Sequence, residues 1–192
     1  PLKTVLREHR GAIVLSMLLT WVLSAAIVVV ILMTPTLLQT LYGFDAATAL
    51  KANSLAIVFL SLGCVAAGAI VDRVGAGRVL LLGGLLLGVT SWTFYSSLKL
   101  HPEWLFPLYA LTGLFVGTIG AVPFVMVNAF PPVVRFSGLS FSYNVAYAIF
   151  GGLTPLVVSL LIKADPLGPA YYVAALCGLA VIIGLYLRGR GR

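Results

Sequence analysis

The chain has 192 residues, 61% of them apolar and 9% charged, with a net charge of +7. A water-facing domain carries about 25% charged residues, so this composition excludes a soluble fold and makes the lipid bilayer the solvent. The basic residues are scattered over separate segments with no interleaved aromatic platform, which excludes a nucleic-acid module.

Residues 1–10, "PLKTVLREHR", are basic and amphipathic without a cleavage site. They read as a cytoplasmic lead-in, and the chain is expected to be a piece of a longer one. Six apolar windows follow, near 11–33, 50–71, 77–97, 104–127, 138–161 and 169–187. Each is long enough, at about 1.5 Å per residue, to cross a hydrocarbon layer about 30 Å thick. Lipid offers backbone groups no partners, so each is expected to be helical. The expected fold is all-α: a six-helix transmembrane domain over 11–188, closed by a basic cytoplasmic tail at 189–192.

The first window carries Ser16, Thr20 and Ser24 at a spacing of four, with Trp21 beside them. Such hydroxyls either line a cavity or satisfy carbonyls of their own preceding turn. Asn53 opens the second window, as a cap or a polar contact. Small residues that let helices approach recur at Cys64-x-x-x-Gly68, Gly84-x-x-x-Gly88 and Gly113-x-x-x-Gly117-x-x-x-Ala121. Pro123 and Pro155 fall inside windows and are expected to kink or loosen the ladder. In the fifth window, Ser140, Tyr143, Asn144, Tyr147, Gly151 and Thr154 share an arc of about 100° on a regular helix. A polar arc on a membrane helix faces other helices or water, as hydrogen-bonding glue or as a cavity wall.

With both ends on one side, that side holds nine of the twelve Lys and Arg, which predicts cytoplasmic termini. No ionisable residue lies near the middle of a window, so a proton route is not marked here. Cys64 and Cys177 read as small apolar residues. His9 and His101 lie outside the windows, and no metal, triad or phosphate-loop spacing occurs. No enzyme, metal or cofactor is expected.

The turn "GAIVDRVGAGR" resembles the loop motif of the major facilitator superfamily, Gly-x-x-x-Asp-Arg-x-Gly-Arg-Arg, in its carboxy-terminal copy. The stretch "FPPVVRFSGLSFSYNVAYAIFGGLTP" (130–155) is similar to the tenth-to-eleventh helix region of the metabolite:proton symporters, carriers for proline and betaine, 2-oxoglutarate, citrate and shikimate. "PLKTVLREHRGAIVL" resembles their central loop running into helix seven. The resemblance implies that the six windows are helices seven to twelve of a twelve-helix carrier working by alternating access. It implies gating or topology roles for Gly68, Asp72, Arg73, Gly75, Arg78 and Arg135. Ala76 and Gly77 stand where the motif has two basics, and Asn128 stands where the family has Glu three residues before the proline; both departures weaken the expected cytoplasmic charge network.

The reading is a proton-coupled carrier half for a small organic acid or zwitterionic osmolyte, in a bacterial-type inner membrane. Its expected partners are the bilayer, an amino-terminal six-helix half, a small-molecule substrate and a proton. Tyr143, Asn144, Tyr147 and Ser140 are the expected wall of the substrate pathway, with Thr20, Trp21 and Ser24 opposite. The rival readings are a non-transporting interaction or sensor module and a half-size carrier acting as a homodimer.

Overall fold

The computed structural model describes residues 6–189, and each of the six helices extends beyond its expected window at one end or both. The helices are α1 Arg10–Thr40, α2 Ala46–Val74, α3 Ala76–Ser97, α4 Pro102–Ala129, α5 Arg135–Ala164 and α6 Gly168–Gly189. No strand occurs among the described residues. The start of the lead-in and the tail after Gly189 lie outside them. Every one of the six is long and apolar enough to cross a membrane, and the chain is a multi-pass membrane protein.

Prolines shape three of these helices. A proline ring clashes with the carbonyl four residues back and supplies no N–H, so a regular ladder cannot pass through it. α1 was expected to stop before Pro35 but continues to Thr40, because Ile27–Met33 widens into a π-turn just ahead of the ring. Tyr147–Gly151 does the same ahead of Pro155 in α5. Ahead of Pro123 in α4 the ladder tightens instead, into a 3-10 turn at Gly117–Gly120.

Around the widened turn of α1, the Val30 carbonyl is met by a side chain of another helix and the Val29 carbonyl by Thr34 of α1 itself. Tyr109 of α4 donates to the Val30 carbonyl at 2.6 Å and to Asn53 Oδ1 at 2.5 Å. Thr34 donates to the Val29 carbonyl at 2.8 Å and shares a 2.8 Å hydrogen bond with the Tyr95 hydroxyl. Buried backbone acceptors are costly to leave unpaired, and Asn53 of α2 and Tyr95 of α3 in turn bond the two side chains that serve them. Asn53 is therefore two turns inside α2 and does not cap it. The cap is Asp45, whose carboxylate accepts the Thr48 N–H and hydroxyl, both at 2.7 Å.

Two seams hold the bundle. At the first, α2 meets α4: a Cβ on Gly117 would meet the Leu60 carbonyl, Gly63 Cα and Cys64 N. The second joins α3 to α6, where a Cβ on Gly77 would meet Arg188 N at 2.8 Å and the Gly184 carbonyl at 2.9 Å. Small residues thus allow backbone contact where lipid supplies no hydrophobic drive. Gly68 was expected on such a seam but nothing lies within 4 Å of a Cβ placed there. The seam uses Gly63 and Cys64, and Gly68 faces outward.

Candidate functional site

The second to fourth turns of α5 carry a polar group that the bundle leaves outside. Tyr143 is 38% exposed, Asn144 is exposed, and Ser140 and Tyr147 are half-buried. The two phenol rings lie 5.5 Å apart, tilted by 35°. Neither hydroxyl has a hydrogen-bond partner among the described residues. Asn144 donates from Nδ2 to the Ser140 carbonyl at 2.7 Å and reaches the Ser140 hydroxyl at 3.4 Å. Its carbonyl oxygen stays available. Bare Gly151 lets the Tyr147 ring lie flat along the helix, since a Cβ there would stand 3.2 Å from a ring carbon.

Thr154 does not belong to this group. The expected arc assumed a regular helix, but the π-turn at Tyr147–Gly151 advances less per residue and rotates everything after it. Thr154 is fully buried, donates to the Phe150 carbonyl and meets the Tyr172 hydroxyl of α6 at 2.9 Å.

The α1 residues fall on two different surfaces. Trp21 is half-buried, stacks on Phe150 at 4.4 Å and 11°, and donates to Tyr172 at 3.1 Å. It joins α1, α5 and α6. Ser24 lies by Gly151, fully buried, with its hydroxyl on the Trp21 carbonyl at 3.2 Å. Thr20 is fully buried too, donating to the Ser16 carbonyl at 2.8 Å and touching Met126 sulfur at 3.6 Å. Thr20 and Ser24, expected opposite the tyrosines, are buried within this unit, where their hydroxyls bond to carbonyls of their own helix. Ser16 Oγ is buried with no partner among the described residues.

The charged turn is short. The Gly75 N–H reaches the Val71 carbonyl at 2.9 Å, and its φ of 86° reverses the chain so that α3 starts at Ala76. Asp72, Arg73 and Arg78 are exposed and form no ion pair among the described residues. Arg135 is committed to its own turn, its Nε donating to the Phe130 carbonyl at 3.2 Å, while the Phe130 ring fills the space above Gly138.

Sequence reasoning missed the Tyr95–Thr34 and Tyr109–Asn53 pairs. The signal available was tyrosine inside an apolar span, whose hydroxyl must find a partner when buried. Phenols offer donors to carboxylate oxygens and faces to cations, and an amide oxygen accepts from N–H groups. The α5 group thus presents donors, an acceptor and aromatic faces side by side.

No family model and no solved structure matches the chain. Among curated proteins, it is 33% identical over 162 residues to the "Citrate-proton symporter" of Salmonella typhi, covering 81% of this chain and 37% of that protein. The "Citrate-proton symporter" of Klebsiella pneumoniae is 36% identical over 128 residues, or 63% of this chain and 29% of the relative. The "Putative proline/betaine transporter" of Staphylococcus aureus (strain COL) is 30% identical over 166 residues, 82% of this chain and 35% of its own length. The chain thus spans about a third of the length of the curated relatives it matches, and these relatives are transporters, not enzymes. Loop motif, helix count and relatives agree: the chain belongs to the metabolite:proton symporter family of the major facilitator superfamily, as its carboxy-terminal six-helix region.

Proposed function

We propose that the chain is the carboxy-terminal half of a secondary active carrier that couples a proton gradient to uptake of a small organic acid or zwitterionic osmolyte. Both ends face the cytoplasm of a bacterial inner membrane. The supporting observation is the exposed polar wall of α5: two unpartnered phenols and an amide on a helix whose other exposed residues, such as Ile149, Leu153 and Leu156, suit lipid. Unpaired hydroxyls facing acyl chains are unfavourable, so a second protein surface or water covers them. An amino-terminal half provides both, closing over the wall in one state and exposing it in the other. No carboxylate stands on the wall, so the proton-binding group lies in the partner half. Asp72, Arg73, Arg78 and the outward face at Gly68 then meet that half at the cytoplasmic seam, where a carboxylate and a guanidinium hold the closed state.

Uptake by the full-length protein, screened over citrate, 2-oxoglutarate, proline and betaine, tests this reading. Tyr143→Phe and Asn144→Ala each lower uptake of the accepted substrate about tenfold, roughly the effect of one lost buried hydrogen bond to a charged group. Unchanged uptake of every substrate in both variants removes the wall from the mechanism.

A further inference from the structure

The geometry points to a binding site for one anionic phospholipid in the groove between α1 and α6. The groove encloses about 470 Å³. Val14, Leu15 and Leu18 form one wall, Leu179, Ile182 and Ile183 the other, with Gly11 leaving its upper end open. Arg10 and Tyr186 stand at the rim. Arg10 begins α1 and Tyr186 lies in the last turn of α6, so both belong at headgroup depth on the same membrane face.

Size and charge select the occupant. From Arg10 to Leu18 the groove descends about 12 Å at about 1.5 Å per residue. One leaflet is about 15 Å deep, half a hydrocarbon layer of about 30 Å. A single acyl chain entering at the rim therefore runs along the groove nearly to the midplane. Arg10 is exposed and has no carboxylate partner among the described residues. Its Nε donates to the Leu6 carbonyl at 3.2 Å, which anchors the guanidinium and leaves its outer N–H groups for an acceptor. A planar guanidinium suits a phosphate bidentately, and basic pockets between helices on the cytoplasmic side recruit anionic headgroups. The contrast within the molecule is a second groove of about 480 Å³ between α3 and α6, lined by Gly88, Val89 and Trp92 with no charged side chain. That groove takes acyl chains without choosing their headgroup. The α1–α6 site rests on the proposed cytoplasmic placement of the chain ends but not on transport, so the two readings can fail separately.

Native mass spectrometry of the full-length protein in mild detergent tests the site. Dioleoyl-phosphatidylglycerol and dioleoyl-phosphatidylcholine are offered in equal amounts. The expected result is about fivefold preferential retention of one phosphatidylglycerol, the effect of one well-placed cation. Arg10→Gln removes the preference while Arg78→Gln, which deletes an equal charge from the same face, keeps it. Val14→Trp fills the groove and lowers retention of both lipids. Thermal melting confirms that each variant is folded. Equal retention of the two lipids by the unaltered protein, or a preference that survives Arg10→Gln, overturns the site. A protein that transports none of the screened substrates yet keeps the preference leaves it standing.

Discussion

At the scale of single residues, the polar groups of this bundle divide by what they answer to. Tyr109 answers to backbone: its hydroxyl covers the Val30 carbonyl that the α1 π-turn frees, and it fixes Asn53. Tyr109→Phe keeps the ring and strands both acceptors, which destabilises the protein by about 1 kcal/mol, read as a lower melting temperature. Tyr143 and Tyr147 have the same chemistry but no such partner among the described residues, so the same substitution there lowers uptake and leaves melting unchanged. Asp45 works outside the membrane. The side-chain and backbone hydrogen bonds from Thr48 hold its carboxyl below the ordinary carboxylate range. A depressed folded-state value means the stabilisation is present above the unfolded value and is lost as pH falls through the folded one. Asp45→Ala therefore lowers the melting temperature at neutral pH, and the difference from the unaltered protein shrinks as the pH drops into the carboxylate range.

At the scale of helices, glycine position separates folding from docking. On Gly117 a methyl group would run into α2 backbone, and neither the Leu60 carbonyl nor Gly63 can rotate away. Gly117→Ala pushes α2 from α4 and lowers the yield of folded protein. Gly68→Ala meets nothing in the bundle, so the folded yield holds. If a partner half lies against that face, uptake falls in Gly68→Ala although melting does not. The two assays together tell a seam from a docking face. How far each was legible in sequence follows from the same physics. Apolar length alone announces six spans, because lipid forces any such stretch to be helical. It does not announce how a helix absorbs a proline, since α1 and α5 widen while α4 tightens, and neighbouring side chains decide which. The arc drawn over α5 assumed regular turns and does not reach Thr154, which the π-turn rotates into the bundle. Thr20 and Ser24 were legible as polar positions with both readings open, cavity lining or bonding to their own helix, and choosing between them needed the facing residue, Met126, which is 106 positions from Thr20.

At the scale of the whole molecule, burial is lopsided. Of the most apolar stretch of each helix, 22% of α2 and 17% of α5 is buried, against 44–61% for the other four. The exposed face of α2 includes Ser54, Ser61, Ala66 and Gly68, and that of α5 includes Asn144, Ala148 and Gly152. Both helices expose large apolar residues as well, such as Val65 and Leu156, as α3 and α6 expose Leu82, Val89 and Ile182, so small and polar residues mark only part of each face as a helix-packing surface. Spin labels on single cysteines, with Cys64 and Cys177 replaced by Ala, measure the difference in the full-length protein. Labels at Val89 and Ile182 relax with oxygen, which concentrates in the hydrocarbon layer. If the α5 wall borders a hydrated passage as proposed, a label at Ala148 relaxes instead with a water-soluble nickel chelate. If the proposed partner half packs on α2, a label at Ser61 is shielded from both. Oxygen relaxation at Ala148 equal to that at Ile182 would place the two phenols and the amide in lipid, and the carrier reading of this six-helix unit would fall with them.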